Sequence, residues 1–137
     1  MIKEAYVSFE VAKLLKEKGF NYPCRAVYSP KGIVTHYLKE EVRAYDLKGH
    51  KKLCPTHQMA IKWLREVYHI EISITFGFPF IDGKQQYKYF WSIVKVCDNH
   101  LEYPMNDSSS ASYNEEMVDS YEEAVEAALK YSLENLI

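Results

Sequence analysis

Two Cys-x-x-His spacings are the patterns in this 137-residue sequence that come nearest to a chemical site. One joins Cys54 to His57, and the other joins Cys97 to His100. Two thiolates and two imidazoles are a ligand set that tetrahedral zinc accepts, although zinc proteins usually pair C-x-x-C with H-x(3–5)-H. Three cysteines and five histidines also produce C-x-x-H easily by chance. The sequence therefore predicts no metal and no cofactor, and these four residues are the ligands that a zinc site would use.

Cys54 is the candidate nucleophile in the sequence. It directly precedes a predicted helix, and a helix N-terminus can lower the pKa of a thiol. Nucleophilic catalysis also needs a neighbouring His and an orienting acid, and no motif of that kind surrounds Cys54. The five glycines form neither a G-x-G-x-x-G nor a G-K-[ST] frame. The sequence therefore indicates a protein that is not an enzyme.

A basic segment raises the alternative of nucleic-acid binding. Its cations are Lys39, Arg43, Lys48, Lys51 and Lys52. Tyr37 and Tyr45 are the rings available for stacking on bases. No RNP-like or G-x-x-G motif accompanies them, and the isoelectric point of about 6.2 argues against a nucleic-acid partner. Nucleic-acid binding through this segment is therefore the alternative, and a protein partner is the favoured prediction.

The charge is divided unevenly along the chain. Residues 1–70 contain 13 Lys or Arg and 7 Asp or Glu, a net charge of +6, whereas residues 71–137 contain 4 and 12, a net charge of −8. Either the two halves neutralise each other within one fold or between two copies of the chain, which is the favoured interpretation, or the basic half forms a patch for an acidic partner. This pattern favours a protein partner or a homo-oligomer over nucleic acid.

The chain is organised around a helix followed directly by a strand. Residues 56–68 place apolar side chains at helical spacing, and residues 70–76 alternate between apolar and polar. The apolar stripe of the helix contains Met59, Ala60, Trp63, Leu64 and Val67. We expect Trp63, Leu64 and Val67 to pack on the face formed by Ile70, Ile72 and Ile74, together with Leu15 and Ala128.

The remaining elements follow from caps and turns. Ser8 and Gly19 delimit a helix over residues 9–18, and Ser120 begins a helix with Glu123 at its third position. Strands are predicted over 24–28 and 33–38 around a turn, and over 87–97 after the Asp82-Gly83 pair. Residues 39–53 are predicted to be a loop, and residues 98–119 the least ordered part. The order α-β-β-α-β-β-α predicts one α+β domain over residues 1–137, with helices packed on a mostly antiparallel sheet.

The return strand supplies the candidate partner-binding residues. It is apolar on both faces, which is typical of a strand with a second covered side. Tyr87, Tyr89 and Phe90 are the residues that we expect at a partner contact.

The composition predicts a cytoplasmic protein without a membrane segment. There is no apolar run of about 18 residues, and the first residues contain no apolar signal region. An odd number of cysteines argues against a secreted disulfide framework.

Three stretches resemble a group of small uncharacterised proteins from gut Bacteroidales bacteria and from their phages and mobile elements. They are residues 6–20, the helix that follows Pro55-Thr56 through Lys62-Trp63-Leu64-Arg65-Glu66, and Tyr121-Glu122-Glu123-Ala124. The resemblance implies a phage or mobile-element setting. It implies no activity, cofactor or site residue.

Overall fold

The structure is a computed structural model that describes residues 4–97, 100–107 and 117–137, with the backbone alone for residues 96, 97 and 100–107. Its elements are α1 (Phe9–Glu17), β1 (Ala26–Tyr28), β2 (Val34–His36), a 3-10 helix (Ala44–Asp46), β3 (Lys52–Leu53), α2 (His57–Tyr68), β4 (Ile70–Gly77), β5 (Phe80–Ile81), β6 (Lys84–Gln85), β7 (Lys88–Cys97), β8 (His100–Asp107) and α3 (Tyr121–Asn135). Each strand pair in these ranges is antiparallel. The predicted α+β class is confirmed.

All three helices begin at the residues that the sequence indicates. The hydroxyl oxygens of Ser8, Thr56 and Ser120 accept hydrogen bonds from backbone N–H groups three residues further on, at 3.2, 3.2 and 3.1 Å. Such caps satisfy N–H groups that the first turn leaves without partners. At the other end of α2, His69 adopts a left-handed φ of 58° and redirects the chain into β4.

The main sheet has the strand order β4-β7-β8. Helices α2 and α3 pack on it, and α1 packs on α3. One face of β4 and β7 carries the paired rows Ile70↔Lys95, Ile72↔Ile93, Ile74↔Trp91 and Phe76↔Tyr89. This is the face that meets the helices, because Trp91 lies against Tyr131 of α3 with ring centroids 5.5 Å apart.

The core confirms most of the contacts expected of α2. Trp63 is 2% exposed and joins Leu64, Leu15 and Ala128 in one buried cluster with Ile70 and Ile72. Val67 is the exception, because it is 47% exposed, and its predicted burial is wrong. Val67 lies one turn after Trp63 on the same side of the helix, so the face on which it lies does not explain its exposure. Its position in the last turn of α2 does.

The first part of the chain forms a second sheet with the order β2-β1-β3. β1 and β2 are the predicted hairpin. β3 lies in a segment that the sequence predicted as a loop, and it pairs with β1 through Val27↔Leu53 and Tyr28↔Lys52. Two residues are too few to produce an alternation, which is why the sequence does not reveal this strand.

Two further strand pairs were not expected. β8 pairs with β7 within the part predicted to be least ordered, and it contains Pro104, a residue that an edge strand tolerates. β5 and β6 form a small hairpin whose tip, Asp82-Gly83, has φ values of +53° and +76°. Of the part predicted to be least ordered, residues 98, 99 and 108–116 lie outside the described residues.

Candidate functional site

The zinc candidates are only partly within the described side chains. Cys54 is fully buried, with its Sγ 3.8 Å from the carbonyl oxygen of Val7, and His57 begins α2. Cys97 and His100 are paired across the start of β8, but their side chains lie outside the described part. Within the described residues, no group of three or more His, Cys, Asp or Glu side chains is arranged to hold a metal ion.

The thiols of Cys24 and Cys54 are not activated nucleophiles. Burial raises the pKa of Cys54 to about 11, and a hydrogen bond with Tyr28 only partly offsets this effect. Burial also raises the pKa of Cys24 to about 12. The lowering of the Cys54 pKa that its place before α2 suggested is therefore wrong, because desolvation dominates at this site. Both thiols are protonated at neutral pH.

Buried His57 and half-buried Glu126 form a pair close to Cys54 that no local sequence pattern indicates. His57 Nε2 lies 2.9 Å from Glu126 Oε1, and the N–H of Ser8 donates to the same oxygen at 2.8 Å. Burial alone would raise the pKa of Glu126, but the hydrogen bonds from His57 and Ser8 outweigh it and lower that pKa. His57 Nδ1 is buried and has no hydrogen-bond partner among the described residues.

This pair borders an open groove of about 420 Å³ that Tyr28 and Glu122 also line. His57 itself is only 4% exposed, and its Nε2 is already bound to Glu126. A ligand in the groove would therefore contact the carboxylates that line it, such as those of Glu122 and Glu126, rather than the imidazole of His57. We interpret the pair as a structural link between α2 and α3.

Most cations of the basic segment lie in the connection between β2 and β3 and are open to solvent. Lys39, Arg43, Lys48 and Lys51 are exposed. Lys52 is half-buried, donates to the carbonyl of His50 at 2.9 Å and lies over the ring of Phe9. Acidic Glu40, Glu41 and Asp46 interrupt the segment. Tyr45 is 78% exposed, and no other described ring contacts it.

A network of partly exposed aromatic rings lies at one end of the main sheet. We call it the aromatic surface, and its residues are Phe76, Phe78, Tyr87, Tyr89 and Tyr121. Phe76 and Tyr87 are stacked, with centroids 5.1 Å apart and planes 12° apart. Phe78 meets Tyr87 edge-on at 4.8 Å. Tyr89 contacts Tyr87 at 5.7 Å and Tyr121 at 6.3 Å, so the network reaches from the hairpin to the start of α3.

These rings contact one another but remain open to solvent. Phe76, Phe78 and Tyr87 are 58%, 55% and 47% exposed. Along β4 the same face is fully buried at Ile70 and almost so at Ile72. The change occurs where α3 begins, because Tyr121 is the first residue of that helix and, of the described rings, contacts Tyr89. The aromatic surface is therefore the end of the core face that no described helix covers.

Two of the three predicted partner-binding residues belong to this surface. Tyr87 and Tyr89 are in the ring network, whereas Phe90 is on the opposite face of β7. The ring of Phe90 lies close over Gly77, where an added Cβ would be only 3.0 Å from it. Phe76 and Phe78 were missed as site residues, although the alternation of β4 had placed Phe76 on the core face.

Comparisons with known proteins supply no relative. No protein-family model matches the chain, and no curated protein or solved structure is significantly similar to it. Among the described residues, no helix combines the length and the apolar character that crossing a bilayer requires.

Proposed function

We propose that this chain is a small non-enzymatic interaction protein and that it binds a protein through the aromatic surface. The observation that carries the proposal is the exposure of Phe76, Phe78 and Tyr87, which form ordered ring pairs outside the core. Tyr and Phe are enriched at the centres of protein interfaces, where they supply large rigid contact areas. Exposed apolar patches of this kind mark interaction sites on soluble domains.

The charges beside the aromatic surface favour a protein over nucleic acid. Exposed Lys84 lies on the hairpin, whereas Lys88, which pairs with Asp119, lies on the face of β7 opposite the rings. Glu122 and Glu123 are exposed at the start of α3. A phosphate backbone needs an excess of cations along its path, and this border is mixed in sign. Nucleic-acid binding by the basic segment remains the alternative, with most of its cations in the connection between β2 and β3.

The same proposal includes the genetic element and the cell compartment in which the protein acts. The resemblance to proteins of Bacteroidales phages and mobile elements supports an accessory role in such an element. The buried, unpaired thiols of Cys24 and Cys54 are compatible with a reducing compartment, which supports the cytoplasm as its location.

A photo-crosslinking experiment in cells tests the proposal. A benzophenone amino acid replaces Phe80, which is two residues from Phe78 and 76% exposed, so the probe leaves the ring network intact. The matched control places the same probe at Tyr45, which has nearly the same exposure and lies in the 3-10 helix between β2 and β3. We expect discrete protein adducts from position 80, lost in the Phe78→Ser/Tyr87→Ser background, and none from position 45.

Two results would count against the proposal. Equal adducts from positions 80 and 45 would show that the aromatic surface has no preference for a partner. Adducts at position 45 that nuclease removes, with none at position 80, would favour the nucleic-acid alternative.

A further inference from the structure

We infer that the partner of the aromatic surface is a second copy of this chain, bound face to face about a two-fold axis. The inference rests on the proposed function and names its partner. Its first support is the end of the core face of β4 and β7. The paired rows of β4 and β7 change from buried Ile72↔Ile93 to Phe76↔Tyr89, of which Phe76 is exposed and Tyr89 half-buried. A partner that covers this end would match it best with apolar rings of its own.

The exposed area is of the size that a two-fold pair requires. The exposed parts of Phe76, Phe78, Tyr87 and Tyr121 amount to on the order of 500 Å² per chain. Two such surfaces bury on the order of 1,000 Å² together, which is the lower limit for a specific interface. The charged border adds to this area. A surface of 500 Å² is also at the upper end of what monomers leave open.

The ring geometry makes the surface complementary to itself. Aromatic rings attract each other edge to face, because the ring edge is positive and the ring face negative. The stacked pair Phe76 and Tyr87 presents one orientation, and Phe78 is turned by 89° and 82° from these two rings. Each copy therefore offers both the edges and the faces that the other copy needs. A two-fold contact uses the same surface twice and requires this kind of match.

The charged border is complementary to itself in the same way. The hairpin side contributes Lys84, and the start of α3 contributes Glu122, both exposed. A two-fold axis that lies in the contact plane, at right angles to the direction from Lys84 to Glu122, brings the basic side of one copy opposite the acidic side of the other. Opposite charges at the border favour the correct orientation more than they add affinity.

The hairpin beside the rings is already formed in the single chain. Asp82 and Gly83 both have positive φ values, as a two-residue hairpin turn demands. The N–H of Gln86 donates to the carbonyl of Pro79 at 2.9 Å and closes the base of the hairpin. Little ordering is therefore required when a second copy binds, which lowers the entropic cost of association.

Sedimentation equilibrium of the purified full chain, from about 1 to 200 μM, tests the inference. We expect the mass to rise from 16.1 kDa towards twice that value. The Phe78→Ser/Tyr87→Ser variant should dissociate at least about tenfold more easily, as loss of central interface rings does. Phe78→Asp, a single change at an exposed position, provides a second variant, and circular dichroism checks that both fold. Tyr45→Ser is the matched control and should dimerise like the unchanged chain.

The outcomes separate this inference from the proposed function. A chain that stays monomeric at all concentrations overturns the inference, and so does a dimer that both ring variants leave unchanged. If the chain is monomeric but position 80 still crosslinks to a different protein, the inference fails and the proposed function stands. If no ring-dependent contact of any kind is found, both fail.

Discussion

His57 and Glu126 are 69 residues apart in sequence, and their side chains meet at 2.9 Å between Nε2 and Oε1. The same carboxylate oxygen accepts the N–H of Ser8, the residue that caps α1. Since His57 begins α2 and Glu126 lies in α3, one carboxylate connects parts of all three helices. Such a group is central to the stability of the helical layer.

Because of the contacts that Glu126 makes with His57 and Ser8, we expect the free energy of unfolding to depend on pH. The pKa of Glu126 lies below its ordinary value of 4.5, because hydrogen bonds from His57 and Ser8 outweigh the effect of burial. A lowered pKa in the folded state stabilises the fold above pH 4.5, and this contribution is lost as the pH falls through the folded-state pKa. We expect Glu126→Gln to cost about 1–3 kcal/mol in urea unfolding at pH 7, with the difference shrinking below pH 4.5.

Glu122→Gln is the control, since Glu122 is an exposed acid one turn earlier in the same helix. Its unfolding curve should stay close to that of the unchanged chain at each pH. A Glu126→Gln difference that is constant from pH 7 to well below 4.5 would show that the carboxylate is not stabilised by this link.

The features that could be predicted from the sequence are those indicated by residues that lie close together in the chain. The caps Ser8, Thr56 and Ser120 and the alternation over residues 70–76 are local, and the structure confirms the three helices and the strand. The pairing of β3 with β1 and the contact of His57 with Glu126 depend on distant segments, and no local pattern reports them. Tyr87 and Tyr89 were selected from their strand, but the exposure of Phe76 depends on where α3 begins.

A matched pair of substitutions on α2 tests the core. Trp63 is enclosed by the rings of Phe20 and Tyr68, with centroids 5.4 and 5.2 Å away. Trp63→Ala should cost about 3–5 kcal/mol in urea unfolding, because it leaves a large cavity. Val67→Ala, one turn later and exposed, should cost less than about 1 kcal/mol. Similar losses for the two variants would contradict this description of α2.

Thiol labelling tests the protonated state of the buried cysteines. In a Cys97→Ser background only Cys24 and Cys54 remain. Burial raises their pKa values to about 12 and about 11, and the thiolate is the reactive form. We expect both thiols to resist an aromatic disulfide reagent at pH 7 in the native protein and to react fully in urea. Native labelling as fast as labelling in urea would refute their burial.

Elemental analysis tests the prediction that the chain binds no zinc. Cys54 Sγ faces the carbonyl of Val7, and His57 Nε2 is bound to Glu126, so a metal would have to break both contacts. Protein purified without chelator should contain less than about 0.1 zinc per chain. One zinc per chain that disappears in Cys97→Ser would establish the site instead.

The central claim is that the aromatic surface binds a protein, and hydroxyl-radical footprinting tests it most directly. Oxidation is compared, residue by residue, between dilute purified protein and an extract of host cells that express the chain at a high level, so that both second copies and other proteins are available as partners. We predict that oxidation of Phe76, Phe78 and Tyr87 falls in the extract, whereas oxidation of Tyr45 is unchanged. Protection at Tyr45 and its neighbouring basic segment, with Phe76, Phe78 and Tyr87 oxidised equally in the two samples, would contradict the claim.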